Sequence, residues 1–80
     1  MKALAHEEVF TGRGGVRVVY LNITSGSVAL EFQMPSNTWV QDGEVYETSQ
    51  AVQFVQEAGV KWRSVISGTA EVAILNDNNF

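Results

Sequence analysis

The chain has 80 residues and a formal net charge of −4, with nine acidic and five basic residues, one histidine and no cysteine. These numbers exclude a disulfide-stabilised domain, disfavour a zinc site, which needs three or four ligands, and argue against a nucleic-acid partner, which requires a basic surface. No apolar run reaches the roughly 18 residues of a membrane span, so we expect no membrane partner. Because so short a chain has a small core, oligomerisation remains as the means of completing it.

The N-terminal segment, residues 1–10, becomes acidic after a single lysine. It lacks the apolar stretch of about 7–15 residues that a signal peptide needs, and the absence of cysteine suits a protein made in a reducing cytosol. We expect this segment to be a short arm that reaches a neighbouring subunit.

The first predicted strand, residues 15–22, is apolar on both of its faces. Val16, Val18 and Tyr20 alternate with Val19 and Leu21. A strand with two apolar faces lies in the middle of a sheet or contacts another chain. We predict that Val19 and Leu21 form an outward stripe that contacts a partner.

The second predicted strand, residues 27–34, has the clearest alternation, with Val28, Leu30 and Phe32 on one face. This pattern is typical of a half-buried antiparallel strand. The Ser25-Gly26 pair before it predicts a tight hairpin, because glycine supplies the positive backbone dihedral angle that such turns need.

Further turns divide the rest of the chain into short strands. Pro35-Ser36-Asn37 ends the second strand, Asp42-Gly43 predicts a hairpin between residues 38–41 and 44–48, and Ser67-Gly68 predicts another hairpin. Residues 57–59 form a turn between strands at 51–56 and 61–67, and the last strand covers 69–75. Residues 47–58 have a helical alternative, which Val, Thr and Phe disfavour.

About seven strands with turns every 8–12 residues predict an all-β fold, a small antiparallel β-sandwich or barrel. It forms a single domain over residues 1–80 and ends in a polar tail, 76–80. We expect Phe32, Trp39, Phe54 and Trp62 to be core aromatics, because each contributes a large buried area. Alternatively, Trp39, Trp62 and Tyr46 form a platform of a carbohydrate-binding module.

The interface candidates are apolar side chains expected on the outward face or at the chain end: Val19, Leu21, Val55, Val65 and Phe80. We expect no enzyme, because the single histidine, His6, is too near the terminus to serve as the base of a serine nucleophile. The sequence offers no pattern for a catalytic residue, a metal or another cofactor.

Four pieces of the chain follow one loose pattern: a strand rich in apolar residues (26–33), a turn and a tryptophan strand (35–40), an apolar strand (53–55), and an aromatic-Arg strand with a closing hairpin (60–74). In this chain Trp39 lies in the tryptophan strand, Trp62-Arg63 in the aromatic-Arg strand and Ser67-Gly68 in the closing hairpin. In this pattern residues 18–75 resemble a family of small β modules common in the virion proteins of tailed bacteriophages. Many of these modules have longer glycine-rich turns where this chain has Pro35-Ser36-Asn37.

The resemblance implies a structural virion protein, made in the host cytoplasm, without catalytic residues. The leading expectation is a capsid decoration or cement protein, a homo-oligomer (a trimer) that binds the major capsid protein or other virion proteins and bridges capsid subunits. A tail adaptor or fibre-base component is the alternative within the virion. A carbohydrate-binding β module remains the alternative outside it.

Overall fold

Two long strands, paired antiparallel, organise the fold. The computed structural model describes residues 2–74, which form one antiparallel sheet of six strands. In chain order these are β1 (Lys2–Leu4), β2 (Phe10–Thr11), β3 (Val16–Gln33), β4 (Trp39–Tyr46), β5 (Gln50–Val55) and β6 (Lys61–Ile74). The all-β prediction is confirmed. The helical alternative for residues 47–58 is not adopted, since residues 50–55 of this segment form β5.

Both long strands bend where Gly26 and Gly68 face each other across the ladder. Each glycine has a positive φ, +90° and +80° respectively. A Cβ atom on Gly26 would lie 1.9 Å from the carbonyl oxygen of Ser67, so the two backbones approach closely only because both positions lack a side chain. The predicted hairpins at Ser25-Gly26 and Ser67-Gly68 are therefore wrong: glycine bends two continuous strands here instead of ending them.

The bends fold the sheet over on itself into two layers. The first layer contains β1, β5, residues 16–23 of β3 and residues 70–74 of β6. The second layer contains β2, β4, residues 27–33 of β3 and residues 61–67 of β6. Buried apolar side chains from both layers form one core: Leu4, Phe10, Val19, Leu21, Val28, Leu30, Trp62, Val72 and Ile74.

A β-bulge in β3 decides which residues of this strand reach the core. Ile23 is opposite Ala70 but Ser25 is opposite Thr69, so β3 has one extra residue, Thr24, that β6 does not match. Because side chains alternate with a period of two, one extra residue moves all the side chains on one side of it to the opposite face. Val28 and Leu30 thus share the inner face with odd-numbered residues of the strand's first half.

The predicted outward stripe of Val19 and Leu21 is wrong for this reason. Both side chains are 0% exposed in the core, while Val16 and Tyr20 are 52% and 41% exposed. The prediction of two apolar faces holds. Because of the bulge at Thr24, however, the face with Val19 and Leu21 packs inside and the face with Val16 and Tyr20 points outward.

Two further predictions about chain organisation differ from the structure. Residues 2–11 do not extend as an arm, because β1 and β2 pair with β6 and their Leu4 and Phe10 side chains are buried in the chain's own core. The Asp42-Gly43 pair does not end a strand, because β4 continues through it. Gly43, with a φ of +81°, instead lies in an irregular stretch where β4 has extra residues relative to β3.

Candidate functional site

The outer face of the first layer carries a row of small and aromatic side chains across four strands. Ala3 of β1 is paired with Ala73 of β6, Ala73 with Tyr20 of β3, and Tyr20 with Ala51 of β5. Val16 and Val55 form another pair on the same face. Val55, 78% exposed, is the most exposed of the large apolar side chains in the described part of the chain.

This apolar outer face, defined by Ala3, Val16, Tyr20, Ala51, Val55 and Ala73, has polar side chains beside it and one, Gln53, within it. The Asn22–Glu71 pair follows Tyr20 and Ala73 in the ladder, and Gln53 lies between Ala51 and Val55 on β5. Exposed apolar side chains grouped on one face beside polar ones are typical of a surface that binds another protein. The first layer therefore provides the best candidate for a protein interface.

The outer face of the second layer is polar and held by an ion-pair cluster around Arg63. Its Nε donates a hydrogen bond to Glu31 Oε1 at 2.9 Å, and its Nη1 lies 3.3 Å from Glu7 Oε2. The Arg63 guanidinium carbon also lies 4.2 Å from the ring centroid of Trp39. These contacts pair the charge of Arg63 within the chain, so this side chain does not need a partner protein to balance its charge.

The two tryptophans lie on opposite faces of the second layer. Trp62 is buried on the inner face, with its ring centroid 4.2 Å from that of Phe54 and 3.5 Å from that of Phe10. Trp39 lies on the outer face, where Arg63 covers its ring. Trp39, Trp62 and Tyr46 therefore do not form one exposed platform on which a sugar ring could stack.

The predicted core aromatics occupy three kinds of position. Trp62 belongs to the core, as predicted, and Phe32 and Phe54 are partly buried against it. Trp39 is half-buried outside the core, because it shares the outer face of the second layer with its register partner Gln33.

The remaining interface candidates do not share a surface. Val55 lies on the outer face of the first layer, as expected. Val65 is half-buried and paired with Ala29 on the outer face of the second layer, on the other side of the core. Phe80 lies outside the described residues. Tyr20 is a further candidate on the outer face of the first layer. The alternation did not indicate it, although its strand has two apolar faces.

A cleft opens on one side of the molecule, between β4 and β5. It has a volume of about 360 Å³ and continues into a second space of about 270 Å³. Leu30, Phe32, Phe54 and Trp62 contribute apolar lining. Val52 and Gln53 line it together although they point to opposite faces of β5, which shows that the cleft follows the edge of this strand.

The rim of the cleft is acidic. Asp42 and Glu57 line it, and no lysine or arginine does. At its far end the pKa of Tyr46 is raised by partial burial and by the neighbouring carboxylates of Glu44 and Asp42. The contribution of these two carboxylates adds to the acidic character of this end of the cleft.

Neither a metal site nor a membrane-spanning helix is found in the described chain. Within residues 2–74, no three histidine, aspartate or glutamate side chains are grouped to hold a metal ion. The same residues contain no helical segment with the length and apolar character needed to cross a bilayer. His6, the single histidine, accepts a hydrogen bond at Nδ1 from the backbone N–H of Ile66 at 2.9 Å and so ties the segment between β1 and β2 to β6.

The chain was also compared with known proteins. No protein-family model matches it, and no match was found among curated proteins or among solved structures.

Proposed function

We propose that this chain is a structural protein of a bacteriophage virion, namely a capsid decoration protein that assembles as a trimer and bridges neighbouring capsid subunits. The observation that carries the proposal is the apolar outer face of the first layer. The virion context comes from the resemblance of residues 18–75 to small β modules of tailed-phage particles.

This face leaves apolar area in contact with water, which favours assembly. Tyr20 and Val55 remain 41% and 78% exposed beside three alanines that leave the surface flat. Burying such a surface against copies of this chain gains about 25 cal/mol per Å² of apolar area, reduced by the cost of association. Closed homo-oligomers are the common way in which short chains gain buried area.

Replacing Tyr20 by lysine tests the face directly. Tyr20 lies at the centre of the alanine row, so Tyr20→Lys places an ammonium group in the interface between copies. Because the trimer is then lost, the variant is expected to bind purified capsids at least about tenfold more weakly. Co-sedimentation with capsids is the measurement. Gln41→Lys is the matched control, because it adds the same charge at an exposed position on the outer face of the second layer. It is expected to bind capsids as the unmodified chain does. Equal binding by both variants would contradict the proposal.

The number of copies in purified particles distinguishes decoration from a tail adaptor or fibre-base component. A decoration protein is present in hundreds of copies and a tail component in a few, so quantitative mass spectrometry against the major capsid protein decides between them. A handful of copies for each particle would assign the chain to the tail.

A further inference from the structure

The edges of β4 and β5 are separated by the gap that forms the cleft. Both strands pair with β3 along the same side of it, and neither has a second strand neighbour among residues 2–74. No Cα atom of β4 lies within 8 Å of a Cα atom of β5. Neighbouring strands lie roughly 4.8 Å apart, so β4 and β5 are not paired with each other, and each leaves an edge open to a further strand.

The backbone of β5 presents hydrogen-bonding groups to this gap. The N–H of Gln56 donates to the carbonyl oxygen of Gly15 at 2.8 Å. Because inward and outward backbone groups alternate in an antiparallel ladder, the N–H groups of Val52 and Phe54 point to β3. Those of Ala51, Gln53 and Val55 point away from it, towards the edge that the cleft follows.

The walls of the cleft define what kind of strand fits. Its interior offers Leu30, Phe54 and Trp62 to apolar side chains, and its rim offers the carboxylates of Asp42 and Glu57 to cations. An extended segment directs alternate side chains to opposite sides, so one side would meet the apolar interior and the other the acidic rim.

We propose that this cleft binds an extended segment of a partner protein in which apolar residues alternate with lysine or arginine, and that the segment adds a strand to the edge of β5. Strand addition derives affinity from backbone hydrogen bonds and specificity from alternate side chains. The cleft follows the edge of β5 and shares Val55 with the apolar outer face. It uses the backbone edge and the acidic rim, which the proposed assembly does not use, so either proposal can fail alone.

The probe is a synthetic eight-residue peptide of alternating lysine and valine, and the control peptide has glutamate in place of lysine. Binding is measured by amide chemical-shift changes in the ¹⁵N-labelled protein. The basic peptide is expected to bind with a Kd below about 1 mM and to shift residues 51–55 and Asp42, whereas the acidic peptide is expected to bind at least about tenfold more weakly. Equal binding of the two peptides, or no binding of the basic one at this concentration, would overturn the proposal.

Two substitutions at Gln53 separate the contribution of its backbone N–H group to binding from that of its side chain. Gln53→Pro removes an N–H group that β3 does not use, and proline is tolerated on edge strands in this orientation. We expect it to weaken binding of the basic peptide about tenfold or more, while Gln53→Ala, which retains the N–H group, binds normally. Circular dichroism and dispersed amide spectra verify that each variant is folded. A folded Gln53→Pro variant that binds the peptide as tightly as Gln53→Ala would rule out strand addition.

A charge substitution tests the acidic rim independently of the backbone. Asp42 is exposed, so Asp42→Lys leaves the core unchanged and is expected to reduce binding of the basic peptide by about tenfold. Unaltered affinity would show that the rim does not select basic segments. If Gln53→Pro reduces self-association of the chain but Asp42→Lys leaves peptide affinity unchanged, the edge joins copies of this chain and the proposed partner is wrong.

Discussion

Replacing Trp62 by alanine is expected to lower the free energy of unfolding by about 3–5 kcal/mol. The Trp62 side chain lies on the inner face of the second layer, where it contacts Phe10 of β2 and Phe54 of β5. Because Phe54 belongs to the first layer, the indole joins the two layers as well as two strands. Small domains have free energies of unfolding near the lower end of about 5–15 kcal/mol, so this loss removes much of the total.

Urea denaturation followed by circular dichroism measures the effect. The indole Nε1 of Trp62 has no hydrogen-bond partner among the described residues, so the expected loss is one of packing and not of a hydrogen bond. Trp39→Ala is the matched control: its ring lies outside the core under Arg63, and a cation–π contact of this kind contributes about 0.5–1 kcal/mol at a surface. Equal effects of the two substitutions would refute the assignment of Trp62 to the layer junction.

Replacing Gly26 by alanine is expected to destabilise the fold by at least about 2 kcal/mol more than the same change at Gly59. Both glycines have a positive φ, +90° and +85°, so both changes incur the backbone cost of order 1–3 kcal/mol that L residues pay there. They differ in the space around the new methyl group. At Gly26 it would lie 1.9 Å from the Ser67 carbonyl oxygen, whereas at Gly59 nothing lies within 4 Å.

The difference between the two variants therefore isolates the close approach of β3 and β6 at the bend. Thermal unfolding and urea denaturation of both variants measure it, with the unmodified chain as reference. If Gly26→Ala is no more destabilising than Gly59→Ala, the long strands do not cross closely at this point and the two-layer arrangement is wrong.

The period of two along the sequence was sufficient to predict the fold class and most of the strand faces. Val28 and Leu30, and on β6 Trp62, Val72 and Ile74, fall on the inner face as the alternation predicts. Alternation succeeds because it depends only on the pleat of a strand, which is local. The turn at residues 35–37 was also predictable, since Asn37 adopts a positive φ that asparagine tolerates.

The face of the first half of β3 was not predictable, because it depends on a bulge that the sequence does not mark. Thr24 is the extra residue, and its register with β6 is a property of two distant segments. The same limit applies to the glycines. A Ser-Gly pair supplies a positive φ both to a hairpin and to a bend in a continuous strand, and the choice depends on whether the opposite strand also has glycine there.

The candidate site was only partly predictable for a related reason. The apolar outer face was recognisable as a second apolar face of residues 15–22, but its members are Val16 and Tyr20 instead of Val19 and Leu21. The cleft between β4 and β5 could not be predicted at all. It arises from the way in which the folded sheet places two edges on one side, which no short stretch of sequence encodes.

If the apolar outer face of the first layer joins copies of this chain, the molar mass of the purified protein in solution reports the assembly. Sedimentation equilibrium is expected to give three times the protomer mass of 8.8 kDa for the unmodified chain and for Gln41→Lys. Tyr20→Lys is expected to sediment as a folded monomer. A monomeric mass for the unmodified chain at all protein concentrations up to about 1 mM would show that this face does not join copies of the chain.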